Sequence, residues 1–399
     1  MGYFESMPHS RDRYLAPLLK KSLKFWPVVC LAGARQVGKS TFLKSLKGYD
    51  YSTLDDLGLL NLATRNPAAL LTPPCVIDEA QKAPELFDAV KLDVDEKRVP
   101  GKFILTGSVR FSKRTLIRES LTGRAKTLQL FPFMCSEALE LPFQDRWSTL
   151  SQRLKIRVQR SELERCLLRG GMPGVFAVRN PAEVRSYWKS LIESYVYRDL
   201  LFSIPKNAQP QLALKILKSV AEILALGESP TFARILRKTG GSRTQVQKHL
   251  IGLEDLMVLY RIPHWDSSPT LDQFLPFDSA LFLALLDIEN PQHDLAVHQA
   301  CLQIQMLNEL MATQQVTDQH QTIYYAESPQ GQKVQLITQG KKNQLCFVQL
   351  FEEPIPHDYD VRFLKAQAKK LKGQAIALTS TQKSHQLPDL LVLPWEQVL

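Results

Sequence analysis

Eight consecutive residues, Gly33-Ala34-Arg35-Gln36-Val37-Gly38-Lys39-Ser40, satisfy G-x-x-x-x-G-K-S, a spacing that few architectures accommodate. The continuously apolar run Val28–Ala32 precedes them and Thr41–Leu46, of helical character, follows, so the pattern predicts strand, loop and helix. In that setting successive backbone N–H groups converge on phosphate oxygens, and the helix directs its positive end at them. Gly38 permits close backbone approach, Lys39 neutralises the β- and γ-phosphates, and the Ser40 hydroxyl ligates Mg²⁺. Gly33, Ala34, Arg35, Gln36, Val37, Gly38, Lys39, Ser40 and Thr41 are therefore the expected nucleotide-binding residues. ATP and Mg²⁺ are the expected cofactors, with ATP and ADP as small-molecule partners. The bland reading is a chance glycine turn before a helix, and a second motif weighs against it.

That motif is Cys75-Val76-Ile77-Asp78-Glu79-Ala80-Gln81, an apolar strand ending in two carboxylates. Asp78 is placed to hold Mg²⁺, and Glu79 to orient and deprotonate an attacking water. The strand Phe103–Leu105 also ends in hydroxyls, Thr106 and Ser108, either of which could sense the γ-phosphate; closing a turn is the plainer role. Arg124 stands just before a strand at Lys126–Leu130, where a guanidinium could stabilise the transferring phosphoryl, in cis or from a neighbouring subunit. An ordinary surface ion pair is the competing reading. With Tyr49–Leu54, these strands alternate with helical segments, the pattern of a parallel sheet with crossover helices.

From about Ser161 the character changes to long amphipathic helices, including Tyr187–Leu201. Residues 211–260 read as three helices, the last followed by a strand-like Val258–Ile262, and another helix is expected near Ser279–Leu286. Between Phe232 and Leu253 there is no acidic residue, while Arg234, Arg237, Lys238, Arg243 and Lys248 are basic. A short helix, the turn Thr239-Gly240-Gly241 and Ser242 as N-cap of the next helix make a helix-turn-helix pattern. Arg243, Thr244, Gln245 and Lys248 would then lie where side chains reach DNA bases or phosphates, although such units also serve as protein-docking modules. From Thr322 onward, Ile323–Ala326, Val334–Thr338, Leu345–Leu350, the helix Val361–Leu371 and Ala375–Leu378 give a βββαβ order.

The ordered set of motifs resembles the prokaryotic AAA-like ATPases that carry the uncharacterised DUF4143 domain. The resemblance rests on Gly33–Ser40, Leu54-Asp55-Asp56, Ile77-Asp78-Glu79-Ala80-Gln81, Leu105-Thr106-Gly107-Ser108, Leu121-Thr122-Gly123-Arg124, Gly170-Gly171-Met172-Pro173 and Tyr197-Arg198-Asp199-Leu200. Ala34 stands where that family usually has proline, a mild departure. The resemblance implies an α/β fold: an additional-strand, AAA-like P-loop NTPase sheet, a helical and winged-helix-like middle region, and a small C-terminal nuclease-like α/β domain. The expected divisions are 1–145, 146–210, 211–290 and 291–399. The last resembles a degenerate PD-(D/E)xK core. Where a metal-dependent version needs acids and a lysine, this chain has Gln335, Val348 and Leu350, with Glu352 and Glu353 past the strand's expected end. The expected function is ATP binding and slow Mg²⁺-dependent hydrolysis driving a conformational switch linked to DNA. The alternative is a nucleotide-gated protein-binding module with little turnover.

A net charge of +10 favours a polyanionic partner without identifying one, so duplex DNA is a candidate partner, and a second copy of the chain is another because a trans-acting Arg124 would need an oligomer. The six cysteines form no close pairs, which excludes a zinc ribbon and a disulfide framework and points to a reducing cytoplasm. Met1-Gly2-Tyr3-Phe4-Glu5-Ser6 loosely matches a myristoylation pattern, but bulky Tyr3 and Phe4 and the lack of nearby basic residues argue against it. No membrane association is expected.

Overall fold

The computed structural model describes residues 11–110, 120–148, 158–176, 178–204, 206–266, 268–339 and 344–399. The Met1–Ser6 pattern lies outside the described residues. The chain divides into two compact units, one formed by Ser10–Phe131 with Asp255–Met257 and the other by Pro132–Glu254 with Val258–Leu399.

The first unit comprises α1 (Ala16–Leu23), β1 (Val28–Gly33), α2 (Lys39–Lys44), β2 (Asp50–Thr53), α3 (Leu57–Arg65), β3 (Cys75–Asp78), α4 (Glu85–Glu96), β4 (Phe103–Gly107) and β5 (Ala125–Leu130). All five strands are parallel, in the order β2-β3-β4-β1-β5. Every residue of β1 is buried between β4 and β5, which is why its sequence is an unbroken apolar run rather than an alternation. The strand order inserts β4 between β1 and β3, as the additional-strand expectation requires. It lines up the carboxyl ends of these three strands along one edge of the sheet, where α/β folds bind ligands.

The second unit opens with α5 (Arg160–Arg169) and α6 (Pro181–Glu193), the latter capped by Asn180. The helix expected over Tyr187–Leu201 is interrupted by a π-helical turn, Ser194–Asp199, in which Tyr195 and Asp199 are buried and Tyr197 is exposed. Next come α7 (Pro210–Ala225), α8 (Phe232–Thr239), α9 (Arg243–Asp255) and an antiparallel hairpin of β6 (Leu259–Ile262) and β7 (Gln273–Pro276). Gly240, at φ 65°, makes the left-handed turn between α8 and α9. Ser242 caps α9, its hydroxyl accepting from Gln245 N at 3.3 Å and donating to Gln245 Oε1 at 3.0 Å.

Helix α10 (Ser279–Leu286) carries the sequence SALFLALL and is buried on nearly every residue, packing on α5, α6, α7 and on α11 (Leu295–Val316). A helix without a solvent face must be enclosed by its neighbours. Helices from the expected segments 146–210, 211–290 and 291–399 thus pack together within one compact unit, while the C-terminal sheet has a core cluster of its own. The Gly170-Gly171 pair serves the helical packing. Gly170 holds φ 73°, and a Cβ there would lie 2.0 Å from Asp278 Oδ1. Asp278 caps α10 through Ala280 N (2.8 Å) and accepts from Gly171 N (2.8 Å). Burial pushes its carboxyl up to about 6, against the opposing backbone hydrogen bonds.

The chain ends in a six-stranded mixed sheet of β8 (Tyr324–Glu327), β9 (Lys333–Gln339), β10 (Leu345–Leu350), β11 (Gln374–Thr379), β12 (His385–Leu387) and β13 (Leu390–Pro394), ordered β12-β13-β11-β10-β9-β8. Strands β12 and β13 extend the expected βββαβ order, and α12 (Asp358–Lys370) packs Val361, Leu364 and Ala368 onto Phe347 and Ile337.

Candidate functional site

At the carboxyl end of β1 the chain leaves the sheet through Gly33, where a side chain would meet Leu130 O at 2.8 Å and Val37 Cγ1 at 2.9 Å. Gln36 (φ 62°) and Gly38 (φ 96°) take left-handed conformations, so the loop curls tightly into α2. Lys39 is buried and donates to Gly33 O (2.9 Å) and Ala34 O (3.1 Å), which lays its ammonium across the mouth of the loop. The loop is pinned from behind by Arg13, which donates to Val37 O at 2.9 Å and Phe131 O at 2.6 Å. Thr41 is exposed on α2.

The second strand end meets the first here. Ser40 Oγ donates to Asp78 Oδ2 at 2.6 Å, and Asp78 Oδ1 accepts from Glu79 N at 2.9 Å. Glu79 itself adopts φ 55°, turning its carboxylate out of the strand line. Its Oε2 accepts from the Gln81 amide and has Ser108 Oγ at 3.5 Å. Thr106, the other expected sensor, is fully buried, and its hydroxyl finds no partner among the described residues. Ser108 is thus the hydroxyl brought to Glu79.

Two members of the site had no role assigned from the sequence, although Gln81 closes the second motif. Tyr51 on β2 donates its phenol to Asp78 Oδ2, and Gln81 bonds Glu79. Burial and the Asp78 hydrogen bond push the Tyr51 hydroxyl well above the ordinary phenol range, so it stays a donor. The signal for Tyr51 was its place beside β3, where Thr53 stands opposite Asp78. The fit to a Mg²⁺-triphosphate rests on chemistry present in the fold: a loop too close for a Cβ, a buried ammonium, and a hydroxyl–carboxylate pair of the oxygen type that Mg²⁺ prefers.

Arg124 is not brought to this edge. Its guanidinium grips Asp95 with two bonds of 2.6 Å, and its carbonyl accepts from Val28 N at the amino end of β1. The length of β5 separates it from the loop, about 17 Å at 3.3 Å per residue.

The basic segment of the second unit is partly consumed by ion pairs. Arg234 is bidentate to Glu327 at 3.0 and 3.1 Å, and Lys238 pairs with Glu222 at 2.9 Å. Arg243 stacks over Phe232 at 5.3 Å, leaving Arg243, Thr244 and Lys248 exposed at the start of α9, with Gln245 half-buried in the cap. At the positions matched to a nuclease centre, Val348 and Leu350 are buried and apolar, and Gln335 Oε1 accepts from Leu350 N at 2.6 Å. Glu352 lies past the end of β10 and is held by His298 at 2.8 Å. Among the described residues no cluster of His, Cys, Asp and Glu is arranged to hold a metal ion, and no helix is long and apolar enough to cross a membrane.

Residues 26–139 match the family model described as an AAA domain, and residues 160–292 match a domain of unknown function, DUF8612. The latter is a different description from the DUF4143 of the resemblance. Two curated relatives, the uncharacterized proteins Rv2008c of Mycobacterium tuberculosis and Mb2031c of Mycobacterium bovis, are each 27% identical over 268 residues, covering 63% of this chain and 53% of the relative. The chain spans about half the length of these relatives. Among solved structures, the Walker-type ATPase PABY2304 of Pyrococcus abyssi matches with TM-score 0.45 and 16% identity, over 71% of this chain and 99% of that one. RuvB of Thermotoga maritima matches with TM-score 0.32 and 16% identity, over 69% and 95%. The first unit is an AAA-like α/β P-loop domain.

Proposed function

We propose that this chain binds ATP with Mg²⁺ at the loop Gly33–Thr41 and hydrolyses it slowly, using turnover to switch conformation. The observation that carries the reading is the junction of the two strand ends: Ser40 bonded to Asp78 at 2.6 Å, with Glu79 and Ser108 alongside. Backbone donors and Lys39 would hold the β- and γ-phosphates. Ser40 and Asp78 would hold Mg²⁺, which when bound offsets the negative charge gathering on the phosphoryl oxygens. Glu79, aimed by Gln81, would take the proton of the attacking water, and Ser108 would report on the γ-phosphate. A transition-state cation, on this reading, comes from Arg124 of a second copy of the chain.

The test is a pair of substitutions. Lys39→Ala abolishes nucleotide binding, whereas Glu79→Gln keeps binding and loses hydrolysis by about 10²- to 10⁴-fold. Wild-type turnover in Glu79→Gln would refute the base assignment. A DNA link is supported by the exposed Arg243, Thr244 and Lys248 on a capped helix after a helix-turn. Hydrolysis stimulated by duplex DNA, and progressively less so along a salt series, favours that link. Tight nucleotide retention with negligible turnover favours instead a nucleotide-gated protein-binding module.

A further inference from the structure

The second unit contains a pocket of 380 Å³, large enough for a small organic ligand, among α7, α11, β9, β10 and α12. Its wall carries amides, including Gln273, Gln303, Gln335 and Gln349. Val348 stands opposite Leu336 in the antiparallel register, so the next pair along is Gln349 opposite Gln335. The Gln335 amide is fixed by its bond from Leu350 N. Gln273 is only 1% exposed, and its Nε2 has no hydrogen-bond partner; the buried Gln349 Oε1 has none either. An unmet donor from β7 and an unmet acceptor from β10, both lining the pocket, each carry an uncompensated desolvation penalty.

The remaining lining narrows the ligand. Tyr359 and Leu295 are largely exposed beside the pocket and offer flat apolar surface. Glu228, Glu353 and Asp360 contribute carboxylates, and the single lysine, Lys333, is engaged with Gly227 O. Glu352 is already bonded to His298, which it shares with Glu164. A phosphate would therefore meet repulsion, while a flat heterocycle carrying both acceptors and donors on its edges would satisfy the amides. Glutamine pairs with nucleobase edges in this way, and aromatic side chains stack on the rings.

We infer that this pocket binds an unphosphorylated nucleobase or nucleoside, its base edge paired with the amides of Gln273 and Gln349. The inference does not depend on nucleotide binding at the P-loop. The experiment titrates the full chain with adenosine, guanosine, cytidine, uridine and their 5′-monophosphates by calorimetry. At least one nucleoside is expected to saturate, with its monophosphate about ten-fold weaker or more. Gln273→Leu and Gln349→Leu each lower that affinity about ten-fold, the equivalent of one hydrogen bond, and Asp360→Asn narrows the gap between nucleoside and monophosphate. Should Gln273→Leu fail to fold, Gln349→Leu and Asp360→Asn decide the matter. The proposal is overturned if no nucleoside saturates, if monophosphates bind more tightly, or if the folded glutamine variants leave affinity unchanged.

Discussion

His298 should make the stability of the second unit fall between neutral and alkaline pH. Its imidazole lies between Glu352 (2.8 Å) and Glu164 (3.0 Å), against the Trp395 ring at 5.6 Å. Burial alone would lower its pKa, but the hydrogen bonds and charges of the two carboxylates outweigh that and raise it from 6.5 to about 9. Because the folded value exceeds the unfolded one, the stabilisation is fully present below pH 6.5 and is lost as pH rises through 9. The full shift corresponds to about 3 kcal/mol. Solvent reaching the two carboxylates, whose side chains are 15% and 17% exposed, screens part of it, leaving about 2 kcal/mol. Urea unfolding of wild type and His298→Gln at pH 6.5, 8 and 9.5 isolates the effect, since glutamine keeps a hydrogen bond but cannot titrate. Wild type should lose about 2 kcal/mol more than the variant across that range. Parallel pH profiles would refute the assignment of a protonated His298.

Other substitutions test other parts of the fold. Gly170→Ala drives a methyl group into Asp278 at a left-handed position and should cost about 3 kcal/mol or more, read as a lowered melting temperature. Tyr51→Phe removes a donor from Asp78 and should weaken the Mg²⁺ dependence of hydrolysis about ten-fold, seen in a metal titration at fixed ATP. If α9 binds duplex DNA, replacing Arg243 and Lys248 by alanine should flatten the slope of log affinity against log salt by about two; an unchanged slope would leave α9 as a protein-docking surface.

The centre of the P-loop sheet was legible because β1, β3 and β4 are short apolar runs closed by residue types with a chemical purpose. Val28–Ala32 and Cys75–Ile77 are buried on both faces, so hydrophobicity alone located them to within a residue. Helix α11 was not legible. Residues Gln303, Gln305, Asn308, Glu309 and Thr313 are buried among its leucines, so no polar face repeats at helical spacing. Such a group can find its partner far along the chain, as Glu309 does with Cys135 N at 2.6 Å. Tyr51 was hidden for a related reason, since its role depends on strand adjacency rather than on any local pattern. The placement of Arg124 depended on which end of β5 it flanks relative to the loop, a matter of strand direction.

Arg13 has a consequence for how an autonomous nucleotide-binding fragment would have to be cut. The AAA match begins at residue 26, yet the carbonyl of Val37 inside the phosphate loop is held by a guanidinium thirteen positions upstream of that start. A fragment starting at the match would carry every recognisable motif and still leave Val37 O and Phe131 O without their shared donor. Its loop would lose the tether that joins it to the end of β5, and the backbone donors aimed at phosphate would be free to wander. The smallest piece able to keep a preformed phosphate cradle thus starts before α1, so the physical limit of the nucleotide-binding unit lies outside the stretch by which it is recognised.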